Sequence, residues 1–434
     1  MTLIWNFPVI YGSEGPVLSD ESLVAERVVG GLERPTTFDF IGANDILVLE
    51  KDKGTVQRVL DGEVMSEPLL DVNVANQVEQ GLLGIAVSDN LSDDKTYVFL
   101  YYTEAKDESN ETTEGEEGEE TEESNGDIAE TDEGDGGEPA GNRLYRYELS
   151  EDKTRLLNPT LLLDLPNEPG PAHNGGVVSI GPDNNVYVIV GNLLANAEER
   201  FQGDSLDQNI IDGRTPDGRG GILRVTQDGE VVNGKGILGD EHPLNKYYAY
   251  GIRNSFGITF DPLSGKLWDT ENGGAYDEIN LVEPGFNSGW EKAIGEASMQ
   301  EGFNQDDLVD FDGKGKYSDP EFSWAVGNNF RPAPTALVFF DSDKLGEQYE
   351  NDMFVADVRG TIYDFKLDED RMNLLLNGPL ADKVADDSSE VEDLVFAEFP
   401  GIITDLKVGP DGYLYVLVFR QENGELYRIV PSTT

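Results

Sequence analysis

Six times along the chain an apolar strand, a polar turn and a second apolar strand recur in the same order, followed by a strand that ends near an aromatic or basic residue. The copies read TTFDFIGANDILVLEKDKGTVQRVLDGE (36–63); GLLGIAV (81–87) with KTYVFLYYTEA and, further on, NRLYRYELS; GVVSIGPDNNVYVIVGN (176–192), completed by GGILRVTQDGE; a fourth within 248–290; PTALVFFDSDKLGEQYENDMFVADVRGTIYDFKLDED (334–370); and ITDLKVGPDGYLYVLVFRQENGELYRIV (403–430). Short apolar runs bounded by turns such as Pro-Asp-Asn-Asn and Pro-Asp-Gly read as strands, and helical periodicity is almost absent. Four-strand sheets repeated at this spacing predict an all-β, six-bladed β-propeller. The alternative is a β-sandwich with chance similarity between hairpins, and turn chemistry recurring in register argues against it. The strand SLVAERVVGGL (22–32) precedes the first copy. It is expected to join the last blade and close the ring, which removes an open sheet edge.

A formal charge of −55 and a pI near 4.1 repel nucleic acid and anionic lipid, and no nucleic-acid partner is expected. The same charge suits a saline setting or cation binding. Absence of cysteine excludes disulfides, thiolate metal sites and cysteine nucleophiles. With two histidines, His173 and His242, a multi-histidine zinc site is not expected, and His242 in GDEHPLN reads as surface. No window approaches eighteen apolar residues, so no membrane span is expected.

The organisation follows from these shifts in composition. Residues 1–21 form an N-terminal extension whose apolar run lacks a basic flank. It reads either as the remnant of a removed export signal, giving an exported, extracellular or periplasm-like protein, or as a disordered or edge-docking terminus. Residues 22–434 form the propeller. Within it, the acidic segment 104–141 interrupts the second copy and is expected to be a solvated, disordered loop, as is VADDSSEVEDL (384–394). The Gly/Asp-rich run 201–221 is expected to be a long loop over the propeller mouth.

Chemistry concentrates in the fourth copy, YAYGIRNSFGITFDPLSGKLWDTENGGAYDEINLVEPGFNSGW. Two short strands, 257–260 and 266–268, are joined by a Pro-Leu-Ser-Gly turn. Arg253-Asn254 places a fixed cation beside an amide. Glu271-Asn272-Gly273-Gly274 lets bare backbone approach a ligand, and Asp277-Glu278 follows. A cation, an amide, exposed carbonyls and paired carboxylates this close together read as a site. The other candidate is His173 in GPAHNGGVVSIGPDNN, just before a strand, where an imidazole can act as a general base near neutral pH.

The segment GIRNSFGITFDPLSGKLWDTENG…DEINLVEPGFNSGW is similar to the signature of the glucose/sorbosone dehydrogenases, soluble quinoproteins that include aldose sugar dehydrogenases. The resemblance implies a six-bladed propeller that uses pyrroloquinoline quinone (PQQ) and calcium to oxidise an aldose at C1 to the lactone, with an unidentified electron acceptor as partner. It makes His173 the base for the anomeric hydroxyl, and Arg253 and Asn254 the partners of the quinone carbonyls. A fixed cation there stabilises charge on the reduced quinone. Gly273 and Gly274 match positions whose carbonyls hold the cofactor calcium, a hard oxygen seeker. Asp277 and Glu278 match an acidic pair that binds a second, structural calcium. Glu79 in VEQGLLG aligns with a polar group facing the cofactor, and Arg359 falls where a cofactor-binding lysine is expected.

The departures from the family pattern are equally specific. Asn192 stands where relatives carry the acid that orients the histidine, and Ala172 replaces an acidic or polar neighbour. Ile402 and Thr404 stand where glucose-oxidising members place two arginines against the cofactor carboxylates, leaving Arg331 or Arg420 to substitute. These losses keep two rivals in view. One is a binding module that has lost its cofactor, and the other is a calcium-dependent lactonase, which would need carboxylates converging on the channel axis.

Overall fold

In a computed structural model of the chain, the described residues are 15–90, 95–106, 136–194, 205–327, 330–420 and 423–433. Their strands form six sheets, each built round antiparallel neighbours. The first sheet contains Pro35–Gly42, Asp45–Glu50, Thr55–Leu60 and Glu63–Val64, with Leu70–Asp71 beside the third strand. The second contains Leu82–Asn90, Lys95–Ala105, Pro139–Leu149 and Leu156–Leu165. The third runs Val178–Ile180, Val186–Val190, Gly221–Val225, Tyr247–Tyr250, and then adds Phe286–Asn287 and Lys316–Tyr317 in parallel. The fourth runs Gly257–Phe260, Leu267–Glu271, Tyr276–Val282, Phe322–Ala325 and Val384–Ala385. The fifth contains Pro334–Phe339, Met353–Asp357, Thr361–Phe365 and Val395–Glu398, and the sixth Ile402–Val408, Leu414–Arg420, Asn423–Pro431 and Leu23–Glu33.

The second strand of most sheets explains how these layers assemble. DILVLE, VYVIV and MFVAD are buried along their whole length, because each lies between two neighbouring sheets and must be apolar on both faces. The apolar side chains accordingly fall into six clusters, each between consecutive sheets. The last joins Tyr415 and Leu417 of the sixth sheet to Phe38, Ile46 and Val48 of the first. The first strands of the sheets also touch in succession, and Ile402–Val408 touches Pro35–Gly42, so the arrangement closes into a ring around a central channel. The molecule is an all-β propeller. Along the channel axis runs a cavity of about 280 Å³, lined by Val177 and Phe256 near the starts of the first strands and by Phe260, Asp341 and Lys407 near their far ends.

Ring closure follows the sequence expectation. Leu23–Glu33 pairs antiparallel with Asn423–Pro431, from Leu23↔Pro431 to Glu33↔Asn423. Val17–Leu18 docks on Val395–Glu398, so the described end of the N-terminal extension is an edge strand of the fifth sheet. The acidic insertion does interrupt a hairpin, since Ala105 pairs with Pro139, while residues 107–135 lie outside the described residues. Deleting 107–135 should leave the melting temperature nearly unchanged, because strand pairing alone already holds the two ends together. A loss of several degrees at moderate salt would mean that the segment packs on the body.

Three expectations change. Tyr247–Tyr250 belongs to the third sheet rather than to the fourth copy, and Phe286–Asn287 returns to pair with it at Ala249↔Phe286 and Tyr250↔Asn287. The fourth copy therefore bridges two sheets. The segment 384–394 is docked rather than solvated, with Val384, Ala385 and Val391 buried and Val384–Ala385 paired to the fourth sheet, because its few apolar residues have a groove to fill. The described part of the run 201–221 is also packed inside, with Ser205, Asp207, Gln208 and Asn209 buried.

Candidate functional site

The candidate residues gather at one end of the channel because the strand direction puts them there. Glu79, His173 and Arg253-Asn254 precede the first strands of the second, third and fourth sheets. Asn192 and Gly273-Gly274 follow second strands, so they return to the same end. Arg331, Arg359 and Arg420 also lie there, before a first strand, in a turn opposite Pro334, and at the end of a second strand.

Glu79 ties the loops together. One carboxylate oxygen accepts the His173 backbone N–H at 2.7 Å, and Asn254 Nδ2 approaches both oxygens at 3.3 and 3.4 Å. Burial raises the Glu79 pKa, opposed by these hydrogen bonds and by the Arg253 charge. The histidine loop is zipped to the next one by the Ala172–Leu194 bridge, and Asn192 N–H donates to the Arg253 carbonyl at 2.8 Å. Gly191 makes this crossing possible, since a Cβ there would sit 2.3 Å from the His173 carbonyl and 2.9 Å from that of Arg253. Val78, His173 and Leu193 all have left-handed backbones, with φ of 50, 62 and 53°. Such conformations cost non-glycine residues roughly 1–3 kcal/mol each and gather at functional sites. For a β-branched residue such as Val78 the conformation is exceptional.

The buried His173 has its Nδ1 2.5 Å from the Asn192 side-chain amide. Burial pushes its pKa down to about 3, and the Arg253 cation acts in the same direction. Arg253 Nη1 donates to the Asn272 carbonyl at 2.6 Å, and its guanidinium lies 5.4 Å from the Trp290 ring centre. The neighbouring Asn254 has a buried Oδ1 without a partner among the described residues. Such an atom is costly to bury unless something bonds it.

The Gly273-Gly274 segment is held by Asp277. Its two oxygens accept from the Gly273 and Ala333 N–H groups, each at 2.9 Å, and burial raises its pKa to about 6 against these bonds and the charges of Arg253 and Arg331. A Cβ on Gly273 would lie 1.8 Å from the Tyr276 carbonyl, whereas one on Gly274 would meet nothing within 4 Å. Gly274 thus offers open backbone. Glu278 faces inward, accepting from Gly295 N–H and lying near Asn280 and Ser288. Of the departures, Ile402 and Thr404 are half-buried at the start of the sixth sheet's first strand, and the Thr404 hydroxyl is a buried group without a partner among the described residues. Arg359 is exposed over Phe330, at 5.6 Å from its ring centre. His242 lies in the exposed turn before Leu244–Lys246.

Sequence reasoning missed a polar layer between the third and fourth sheets. Side chains alternate along a strand. Leu267 and Val282 pack toward the third sheet, so Asp269, Glu271, Glu278 and Asn280 face it too. Glu271 accepts from Arg253 N–H at 2.7 Å and from Ser288 Oγ at 2.6 Å, which positions the arginine. Asp269 is fully buried, with both its oxygens and the nearby Asn280 Oδ1 unpartnered among the described residues. The signal in the sequence was the pair of acids in LWDTE, a strand otherwise as apolar as its equivalents. Among the described residues, no group of three or more His, Cys, Asp or Glu is placed to hold a metal ion.

These acids carry a pH prediction. Burial pushes Asp269 to about 8, and Asp207 and Asp357 to about 7. A folded-state pKa above the unfolded value near 3.9 means the fold binds more protons than the unfolded chain. The stabilisation is therefore complete below about pH 4 and is lost as pH rises through 7 to 8. Without divalent cations, and in about 1 M salt to screen the surface charge, the melting temperature should fall between pH 5.5 and 8.5. A value that holds or rises would mean these carboxyls are ionised in the fold.

Comparison with known proteins agrees with the fold. The glucose/sorbosone dehydrogenase family profile matches residues 32–428. The chain is 24% identical over 407 residues to the aldose sugar dehydrogenase of Escherichia coli (strain K12), covering 92% of this chain and 91% of that one. It is 31% identical over 163 residues to quinoprotein glucose dehydrogenase B of Acinetobacter calcoaceticus, 35% of this chain and 32% of that one. In fold it resembles the PQQ-bound aldose sugar dehydrogenase of Streptomyces coelicolor, with a TM-score of 0.61 at 21% identity over 94% of this chain and 98% of that one. The chain belongs to the glucose/sorbosone dehydrogenase family.

Proposed function

We propose that the chain is a six-bladed, PQQ- and calcium-dependent sugar dehydrogenase that oxidises an aldose at C1 to the lactone and is exported. The observation that carries this reading is the convergence of Glu79, His173, Arg253 and Asn254 at one end of the channel, in a chain of this family. When bound, PQQ would supply the two-electron acceptor for the C1 hydride and calcium the Lewis acid.

The residues present fit such a group. The orphaned Asn254 Oδ1 and the Arg253 cation suit the quinone end, and open backbone at Gly274 beside Gly273 suits a calcium held through carbonyls. Arg331, Arg359 and Arg420 surround the same end, where Ile402 and Thr404 offer no charge. Two missing arginines should weaken binding of the cofactor carboxylates. A second calcium would be held by Glu278 with the unpartnered Asp269 and Asn280 oxygens rather than by Asp277, whose oxygens already accept backbone N–H groups. His173 is the group placed to take the hydroxyl proton, and Glu79 and Glu271 hold the loops that aim His173 and Arg253. Dye reduction with an aldose panel, in the presence of PQQ and calcium, tests the reading. Turnover supports it, and binding of sugar without turnover would favour the binding module.

A further inference from the structure

We infer that Asn192 is a positioning residue that fixes the tautomer of His173, presenting the imidazole to the channel with its proton on Nε2 and its Nδ1 lone pair taken up by the Asn192 amide. The tautomer follows from geometry, and its catalytic consequence rests on the dehydrogenase reading above.

Asn192 is buried and its side chain has three polar neighbours. The Arg253 carbonyl can only accept and Trp290 Nε1–H can only donate, whereas His173 Nδ1 can do either. Only one amide orientation satisfies the first two: nitrogen toward the Arg253 carbonyl at 3.1 Å, oxygen toward Trp290 Nε1 at 3.1 Å. The opposite orientation sets oxygen against oxygen and N–H against N–H. In the satisfied orientation the amide nitrogen also faces His173 Nδ1 at 2.5 Å. An N–H donor needs a bare acceptor, so the neutral ring carries its proton on Nε2.

The backbone holds this arrangement. Asn192 N–H donates to the Arg253 carbonyl at 2.8 Å, and its own carbonyl accepts from Gln208 Nε2 at 3.2 Å. His173 Nε2 has no hydrogen-bond partner among the described residues. A hydroxyl proton moving to Nε2 would therefore meet a nitrogen that is already protonated. The base-competent ring has its proton on Nδ1 and a bare Nε2, and it forms only when Asn192 turns its oxygen toward Nδ1 and gives up its bonds to Trp290 and the Arg253 carbonyl. A carboxylate at 192 would accept from Nδ1–H and from Trp290 Nε1–H together and leave Nε2 bare, at the cost of setting one oxygen against the Arg253 carbonyl.

Two histidines make the test direct. The full-length chain is labelled with ¹⁵N-histidine, and its imidazole spectra are recorded with and without PQQ and calcium, using His242→Gln to assign the signals. The expected spectrum of the parent places the His173 proton on Nε2, while Asn192→Asp moves it to Nδ1. In that variant kcat should rise tenfold or more with little change in KM. Should Asn192→Asp fail to fold, Trp290→Phe removes the N–H that holds the amide, and a mixture of tautomers is expected. A proton on Nδ1 of His173 in the parent overturns the inference, as does an Asn192→Asp protein whose tautomer and kcat match the parent. If the parent carries the proton on Nε2 but neither protein oxidises any aldose, the tautomer assignment stands and the dehydrogenase reading falls. If the parent turns over an aldose with the proton on Nδ1, the tautomer assignment falls and the dehydrogenase reading stands.

Discussion

His173→Ala is expected to lower aldose-dependent dye reduction about a hundredfold, the lower end of what a positioned general base contributes. The lower end is expected because Asn192 opposes the base-competent tautomer, so the same substitution should cost more in the Asn192→Asp background. In the cofactor-free protein, burial holds the His173 pKa near 3, with the Arg253 charge acting in the same direction. Its imidazole should then remain neutral from about pH 8 to pH 5, the range in which an unperturbed histidine titrates. A depressed pKa of this kind contributes stability above about pH 6.5 that is lost as pH falls toward 3. A His173→Ala protein that turns over at the parent rate would remove the imidazole from the chemistry and leave Glu79 as the remaining candidate base.

A second large effect lies at the far end of the fourth sheet. Asp261 begins the Pro-Leu-Ser-Gly turn and is fully buried, and Arg371 grips its two oxygens at 2.9 and 3.0 Å. Burial alone would raise the Asp261 pKa, but hydrogen bonds from Arg371 and Ser264 and the Arg371 charge hold it below the ordinary carboxylate value. Removing one partner of a buried pair leaves the other charge uncompensated, at a cost of about 3–5 kcal/mol. Arg371→Ala should lower the urea midpoint accordingly with an unchanged m-value, and also lose the contact with the Phe339 ring. The double variant Asp261→Ala/Arg371→Ala should be less damaged than Arg371→Ala. A single variant within about 1 kcal/mol of the parent would mean that water reaches Asp261.

How much of this was legible in the sequence differs by layer. The ring was legible because a strand buried on both faces must be continuously apolar, and VYVIV and MFVAD cannot disguise that. The joining of Leu23–Glu33 to the last sheet was legible because an unpaired edge is costly. His173, Arg253 and Asn254 stood out as polar residues immediately before strands, and their convergence followed from strand direction. The acids of the polar layer were hidden because Asp269 and Glu271 alternate with Trp268 and Thr270, as a solvent-facing row would. Only the position of the third sheet reveals that this face is closed. The role of Trp290 was hidden for a different reason. Its indole N–H acts on Asn192, nearly a hundred residues earlier, and no local pattern records that contact. Docking of 384–394 was likewise decided by a groove that the segment's own composition does not contain.

The most direct test of the central claim is a titration of the purified full-length chain with PQQ, with and without calcium, followed by mixing with an aldose panel. The account predicts a calcium-dependent shift in the quinone absorption, saturating only at raised cofactor concentration. It also predicts tighter binding in Ile402→Arg/Thr404→Arg, and bleaching of the oxidised quinone when an aldose is added. No spectral shift in either the parent or the arginine variant would contradict it and leave a propeller that binds its ligands without redox chemistry.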